Sequence, residues 1–283
     1  LDNETDNFYK MDFTASNVTI NENISVTGSK AGKVIITQAN YNGAPNSSTI
    51  KVTNKGKIDY SGNKSTALAT DFGQVTNETS GTIRMSGDNS IGLYGAANSI
   101  VTNKGTIEMG KAGVGIWGAN NLSNKYANRN INIVNSGTIR GISGKEGVFG
   151  IYANNSEAGA SSTITHSGTI DLANSKSSVG IYTENSALTS SGNISVGKNG
   201  VGIRNVKSIA TLTKGDINAA SGIGVLAEDS TLKTSANINV SDNSIAVSAK
   251  NSDVEVTKGT YNINKSIALK ISDLGNKTFK GNA

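Results

Sequence analysis

One short phrase returns along the whole chain, and it constrains the fold more than any other feature. Gly105-Thr106-Ile107 is followed by Val114-Gly115-Ile116-Trp117, Gly137-Thr138-Ile139 by Phe149-Gly150-Ile151-Tyr152, and Gly168-Thr169-Ile170 by Val179-Gly180-Ile181-Tyr182. With the first glycine as marker, copies stand at Gly56, Gly81, Gly105, Gly137, Gly168, Gly192, Gly215, Ala236 and Gly259. Asn23-Ile24-Ser25-Val26 echoes Asn193-Ile194-Ser195-Val196 as an earlier copy. A unit recurring every 21 to 32 residues means stacked repeats, in which a column of equivalent side chains is the unit of meaning.

Within each copy, apolar residues alternate with small or polar ones over short spans, as in Ile91-Gly92-Leu93 and Ile245-Ala246-Val247. That period belongs to strands, and no stripe at helical spacing competes with it. The commonest unit length suits three short strands and three bends, one coil of a parallel β-helix. Leucine-rich repeats lack a matching consensus here, and a WD40 blade is about 40 residues long. The expectation is an all-β chain: a single-stranded, right-handed parallel β-helix (β-solenoid) of about ten coils. The repeats span residues 17–273, after an N-terminal extension of 1–16 and before a C-terminal tail of 274–283. Inserts at Leu122–Asn130 and near Glu157–Ser162 lengthen two copies and belong in surface loops.

Composition narrows the function. Lys and Arg total 26 against 21 Asp and Glu, but these charges are spread along the chain, not gathered into the basic stripe that nucleic acid requires. Cysteine is absent, which removes disulfides, thiolate metal sites and Cys nucleophiles. No apolar run is long enough to cross a membrane as a helix. Leu1 to Lys10 is polar and does not form a signal peptide, so the chain is expected to be one segment of a larger protein.

Chemical motifs are scarce. Gly113 to Gly118 matches the dinucleotide fingerprint, but it recurs as strand in every copy and so lacks the turn and helix that bind pyrophosphate. His166, the only histidine, occupies a column held elsewhere by Asn103, Asn135 and Ser190; a bend residue is expected, since no partner is available to make it a base or ligand. Lys214-Gly215-Asp216 resembles an integrin-binding tripeptide, but the repeat already accounts for its glycine. No catalytic residue, cofactor or metal is expected. Asn98, Asn155, Asn185 and Asn251, with Asp229 and Asp273, fall where coils bend and suit left-handed backbone angles.

One column stands out. If Ile91 and Leu93 face inward, Gly92 and Tyr94 face out, and the same offset gives Trp117, Tyr152 and Tyr182 in the next three coils. Four aromatics then stack outside the rod beside Gly92, Gly115, Gly150 and Gly180. Two readings stay open: rings covering bare glycine backbone, or a flat aromatic strip that stacks on sugars or anchors a protein interface.

The phrases Val101-Thr102-Asn103-Lys104-Gly105-Thr106-Ile107, Ile133-Val134-Asn135-Ser136-Gly137-Thr138-Ile139 and Val179-Gly180-Ile181-Tyr182 resemble the passenger domains of Gram-negative autotransporters (type V secretion). The resemblance covers about residues 17 to 273. It implies a non-enzymatic adhesin passenger outside the cell, monomeric, held through an outer-membrane barrel that is not in this sequence. The implied partner is a host or bacterial surface protein or glycan, with no nucleic acid and no membrane insertion of this segment. Two alternatives accompany it: a passive stalk with binding done elsewhere, and a polysaccharide-cleaving β-helix enzyme with clustered carboxylates.

Overall fold

The computed structural model describes residues 17–39, 50–96, 98–119, 130–155 and 161–281. The extension 1–16 and most of the two inserts lie outside the described residues. All described regular structure is β: three parallel sheets of eleven, ten and ten strands. The first sheet runs from Val18–Ile20 to Phe279–Gly281, the second from Ser25–Gly28 to Tyr261–Asn264, and the third from Val34–Ala39 to Ile267–Ser272. Each coil gives one strand to each sheet in turn, and every strand pairs with its counterparts in the coils before and after. This is a parallel β-helix of ten coils, closed by one further strand at Phe279–Gly281. That strand pairs with Asp253–Val256, so the stack reaches past residue 273, the boundary expected from the repeat.

The recurring isoleucine explains why the coils stack in register. Ile58, Ile83, Ile107, Ile139, Ile170, Ile194, Ile217 and Ile238 are consecutive Cα partners in the second sheet, and each is at most 2% exposed. The first sheet adds an inward column from Val52 to Val254, and the third one from Leu68 to Val247. No coil can bury these side chains alone, and a slip of one residue would turn a strand's apolar set outward.

A polar ladder runs through this apolar interior. Nδ2 of Asn54 donates to Oδ1 of Asn77 at 2.8 Å, Asn77 to Asn103 at 2.9 Å, and Asn103 to Asn135 at 2.8 Å. Asn135 Nδ2 then donates to His166 Nδ1 at 3.1 Å, so the ring proton of the neutral imidazole sits on Nε2. All five side chains are fully buried. His166 is therefore not a bend residue: it ends its strand facing inward and terminates the amide ladder. Burial holds its pKa down at about 4, against the weaker pull of the Asn193 and Asn135 backbone, and its Nε2 has no hydrogen-bond partner among the described residues.

The corners follow backbone preference. Asn98, Asn185, Asp229, Asn251 and Asp273 adopt φ between 45° and 56°, as their short polar side chains allow. Asn155 differs: it is buried and donates to Ser162 Oγ and Ser186 Oγ, both at 2.9 Å. A second left-handed corner, before the third strand, is occupied by Lys64, Asn89, Ala112, Ser177, Asn199 and Ser221, residue types that carry no shared sequence signal.

Candidate functional site

The candidate site is an outer face of the rod, because the interior is packed with apolar side chains along the stack, leaving an apolar cavity of about 330 Å³ at the C-terminal end, lined by Val247, Val256, Tyr261, Leu269 and Phe279. Tyr94, Trp117, Tyr152 and Tyr182 are successive Cα partners in the third sheet, each partly exposed. Ala69 precedes them and Arg204, Leu226, Ser248 and Lys270 follow in the same column. Tyr94 meets Trp117 edge-on at 5.8 Å between centroids, and Trp117 meets Tyr152 in the same way at 5.8 Å. Tyr152 and Tyr182 stack at 4.7 Å with planes 13° apart, and the Arg204 guanidinium lies 5.8 Å from the Tyr182 centroid. The four rings are therefore not coplanar: Trp117 stands perpendicular to both of its neighbours, and only Tyr152 and Tyr182 stack face to face. The four do not form the flat platform of open ring faces that one sequence reading expected.

The glycines beside them overturn the other half of that reading. Gly92, Gly115, Gly150 and Gly180 do not face out. A Cβ at Gly115 would point into the core, 2.6 Å from Ile139 Cγ2 and 2.7 Å from the Gly150 carbonyl oxygen. Each third-sheet strand places two successive residues inward, Gly115 and then Ile116, and strict alternation is broken there. Cα pairing skips this position, matching Val114 to Phe149 and Ile116 to Ile151 with no partner for Gly115. The aromatics consequently do not shield outward glycines.

That break turns another column outward. Ile91 was expected inside; it is half-buried on the exterior, and so are Val114, Phe149, Val179, Val201, Ile223 and Ile245, with Ile267 50% exposed at the end. They are Cα partners in unbroken order. Phe149 lies on the same face as Tyr152, with ring centroids 5.3 Å apart. The third sheet thus carries two adjacent outward columns, one apolar along eight coils and aliphatic except at Phe149, and one aromatic along four.

Polar groups edge this face. Tyr182 Oη donates to Glu184 at 3.1 Å, and Asn154 Nδ2 donates to Tyr152 Oη at 3.3 Å. The Tyr182 phenol is pushed up to about 12, first by burial, then by the Glu184 carboxylate and Tyr152, with Arg204 opposing. Burial, reinforced by the Asp71 carboxylate, also raises Tyr94. Trp117 Nε1 is buried with no hydrogen-bond partner among the described residues.

The other two exteriors are polar. The first sheet presents Thr53, Thr76, Thr102, Thr165, Thr189 and Thr211 in one column, interrupted by Val134. The second presents charges that alternate in sign: Asp59, Arg84, Glu108, Arg140 and Asp171 are consecutive partners. The expectation of scattered charges is corrected here, because the residue after each Gly-Thr-Ile phrase lands on one column and alternates in sign. Asn218, Asn239 and Asn262 extend that column, joined by amide bonds of 2.8 and 2.6 Å. Among the described residues, no group of three or more His, Asp or Glu side chains is placed to hold a metal ion.

Glu108 is the hub of the charge column. Arg84 Nη1 donates to it at 2.6 Å, and Arg140 Nε donates from the other side at 2.7 Å. Burial alone would raise its carboxyl, but the hydrogen bonds and charges of the two arginines outweigh it and hold the group below the usual carboxylate range. Such a group stabilises the fold fully above its unfolded pKa, and that contribution is lost as pH falls through the lowered value. Glu108→Gln is expected to cost about 1–2 kcal/mol in low salt and less in high salt, and to reduce the acid sensitivity of unfolding. Denaturant titrations at two ionic strengths check it; an equal loss at both would place the effect in packing, not charge.

The family comparison agrees with this geometry. No curated protein and no solved structure gives a significant match. A family model does: the BigA third pectate lyase-like domain matches residues 2–202. The three sheets continue without interruption from the matched coils to Gly281, Asn264 and Ser272 respectively. The match spans well over half of the 283 residues, and the chain belongs to the family of the BigA third pectate lyase-like domain.

Proposed function

We propose that this β-helix is a non-enzymatic binding segment of a bacterial surface protein, acting outside the cell as an adhesin, and that it attaches through the outer face of its third sheet. One observation carries the reading: the third-sheet exterior carries two apolar columns, one along eight coils and one along four, where the other two exteriors are threonine-rich or charged. Water solvates the latter two well, while a contiguous apolar face of this length marks an interaction surface. The resemblance to autotransporter passengers supports the extracellular setting and anchorage through a barrel elsewhere in the parent protein. The second-sheet carboxylates Asp59 and Glu108 are engaged by arginines, which supports a structural role for them.

Alanine at Tyr94, Trp117, Tyr152 and Tyr182 together tests the reading against a passive stalk. Truncating an aromatic anchor typically weakens a protein interface by tenfold or more, so the four changes are expected to reduce attachment to cells by about a hundredfold or more. Circular dichroism should still report a folded sheet, because these side chains lie outside the core. Attachment unchanged in a folded variant would leave the segment as a stalk.

A further inference from the structure

The aliphatic column changes what the third-sheet face can bind. We propose that its partner is a second copy of the same face, laid antiparallel, so that the chain pairs with itself; this rests on the reading of that face as the contact surface. A monomer was the expectation that came with the resemblance to autotransporter passengers. With Ile91 and its equivalents outside, the face carries a continuous apolar column from Ile91 to Ile267, repeating once per coil.

Three properties point to a second copy. The first is shape. A partner must offer apolar side chains at the coil spacing of about 4.8 Å, over eight coils or about 38 Å, and an identical sheet face does so by construction. The second is area. Six-residue strands span about 20 Å, so the face covers about 750 Å² per copy and about 1,500 Å² for a pair, the size of a stable interface. The third is charge. In the third-sheet strands, the acidic residues Asp71 and Glu184 lie in the first half of the stack, with no cation among them. Arg204, Lys250 and Lys270 lie in the second half; Glu228 pairs with Arg204 at 3.0 Å and Asp273, at the corner after the last strand, pairs with Lys250 at 3.6 Å, so this half keeps a net positive charge, carried by Lys270. Antiparallel copies set the negative half of one on the positive half of the other, twice. Parallel copies would oppose like charges at both ends. The rings are not coplanar, so they offer no flat strip for a sugar, whereas a mix of aromatic rings and aliphatic methyls suits another apolar sheet.

Sedimentation velocity on the purified chain, from low micromolar to about 100 µM, is expected to show a monomer–dimer equilibrium. Val179→Glu and Val201→Lys change outward, half-buried positions and leave the core intact; each is expected to weaken pairing by at least about tenfold while circular dichroism stays unchanged. A copy carrying Lys250→Glu and Lys270→Glu should self-associate at least about tenfold more weakly, and should recover pairing when mixed with a copy carrying Asp71→Lys and Glu184→Lys. A wild-type chain that stays monomeric at the highest concentration overturns the proposal. So does a dimer indifferent to the valine changes, which would use another face, or to the lysine changes, which would not be antiparallel. If Val179→Glu abolishes cell attachment while the wild-type chain is monomeric, the third-sheet face remains the contact surface and only self-pairing falls.

Discussion

Replacing Asn103 with alanine should destabilise the rod by about 2–4 kcal/mol, the cost of opening a buried hydrogen-bond network on one side. Asn103 is the middle of the interior ladder: Oδ1 accepts from Asn77 and Nδ2 donates to Asn135. Asn77 Nδ2 keeps other acceptors within reach, the carbonyls of Gly81 at 3.2 Å and Thr106 at 3.4 Å. Asn135 Oδ1 is left facing an apolar interior with its donor removed. The change also leaves a void where an amide was, in a column whose neighbours are fixed by backbone pairing above and below. Asn54→Ala makes the internal control. Asn54 begins the ladder: it donates to Asn77, and its Oδ1 accepts from the Gly56 N–H at 3.2 Å and not from an earlier asparagine, so its loss breaks one ladder link where Asn103 breaks two and should cost less. Chemical denaturation of both variants checks the order. Equal losses, or a change below about 1 kcal/mol at Asn103, would mean that the amides contribute independently and that the ladder has no cooperative value.

Gly115→Val is expected to be at least as damaging, at about 3 kcal/mol or more, because it overpacks a site with no room to relax. The added Cβ would lie 2.6 Å from Ile139 Cγ2, which is held in the isoleucine column, and 2.7 Å from the Gly150 carbonyl oxygen, which is backbone. Neither can move without separating adjacent coils. Ala67 and Ala246 occupy the equivalent position elsewhere in the stack, so a single methyl can be accommodated when the local coil spacing adjusts. Gly115→Ala should therefore cost less than Gly115→Val, by about a factor of two. Val114→Thr, one residue away but outside, should leave thermal stability nearly unchanged. A scan of the three by thermal unfolding tests the facing assigned to this strand. A tolerated valine at 115 would put the glycine column back on the exterior, and with it the aliphatic column back inside.

Much of the architecture was legible before any coordinates. The period of the Gly-Thr-Ile phrase and the short-range alternation led to stacked coils. The four aromatics lay on adjacent coils because residues one period apart must become vertical neighbours. The column containing Asn103, Asn135 and His166 was also visible, although its role was not: whether an asparagine faces a bend or an apolar interior depends on which way its Cα–Cβ bond points. The alternating charges from Asp59 to Asp171 could have been found by reading the residue after each phrase as one column.

The chain's own order of residues determined its repeat, its strands and its vertical neighbours, since those follow from a regular spacing of isoleucine and glycine along one dimension. Only the three-dimensional stack decided which neighbours meet solvent in the third sheet. The reason lies in Gly92 and Gly115 and their equivalents: a residue with no side chain leaves no mark of the direction it faces. Two successive inward positions therefore pass unseen in the sequence, and they reverse the facing of every aliphatic residue before them.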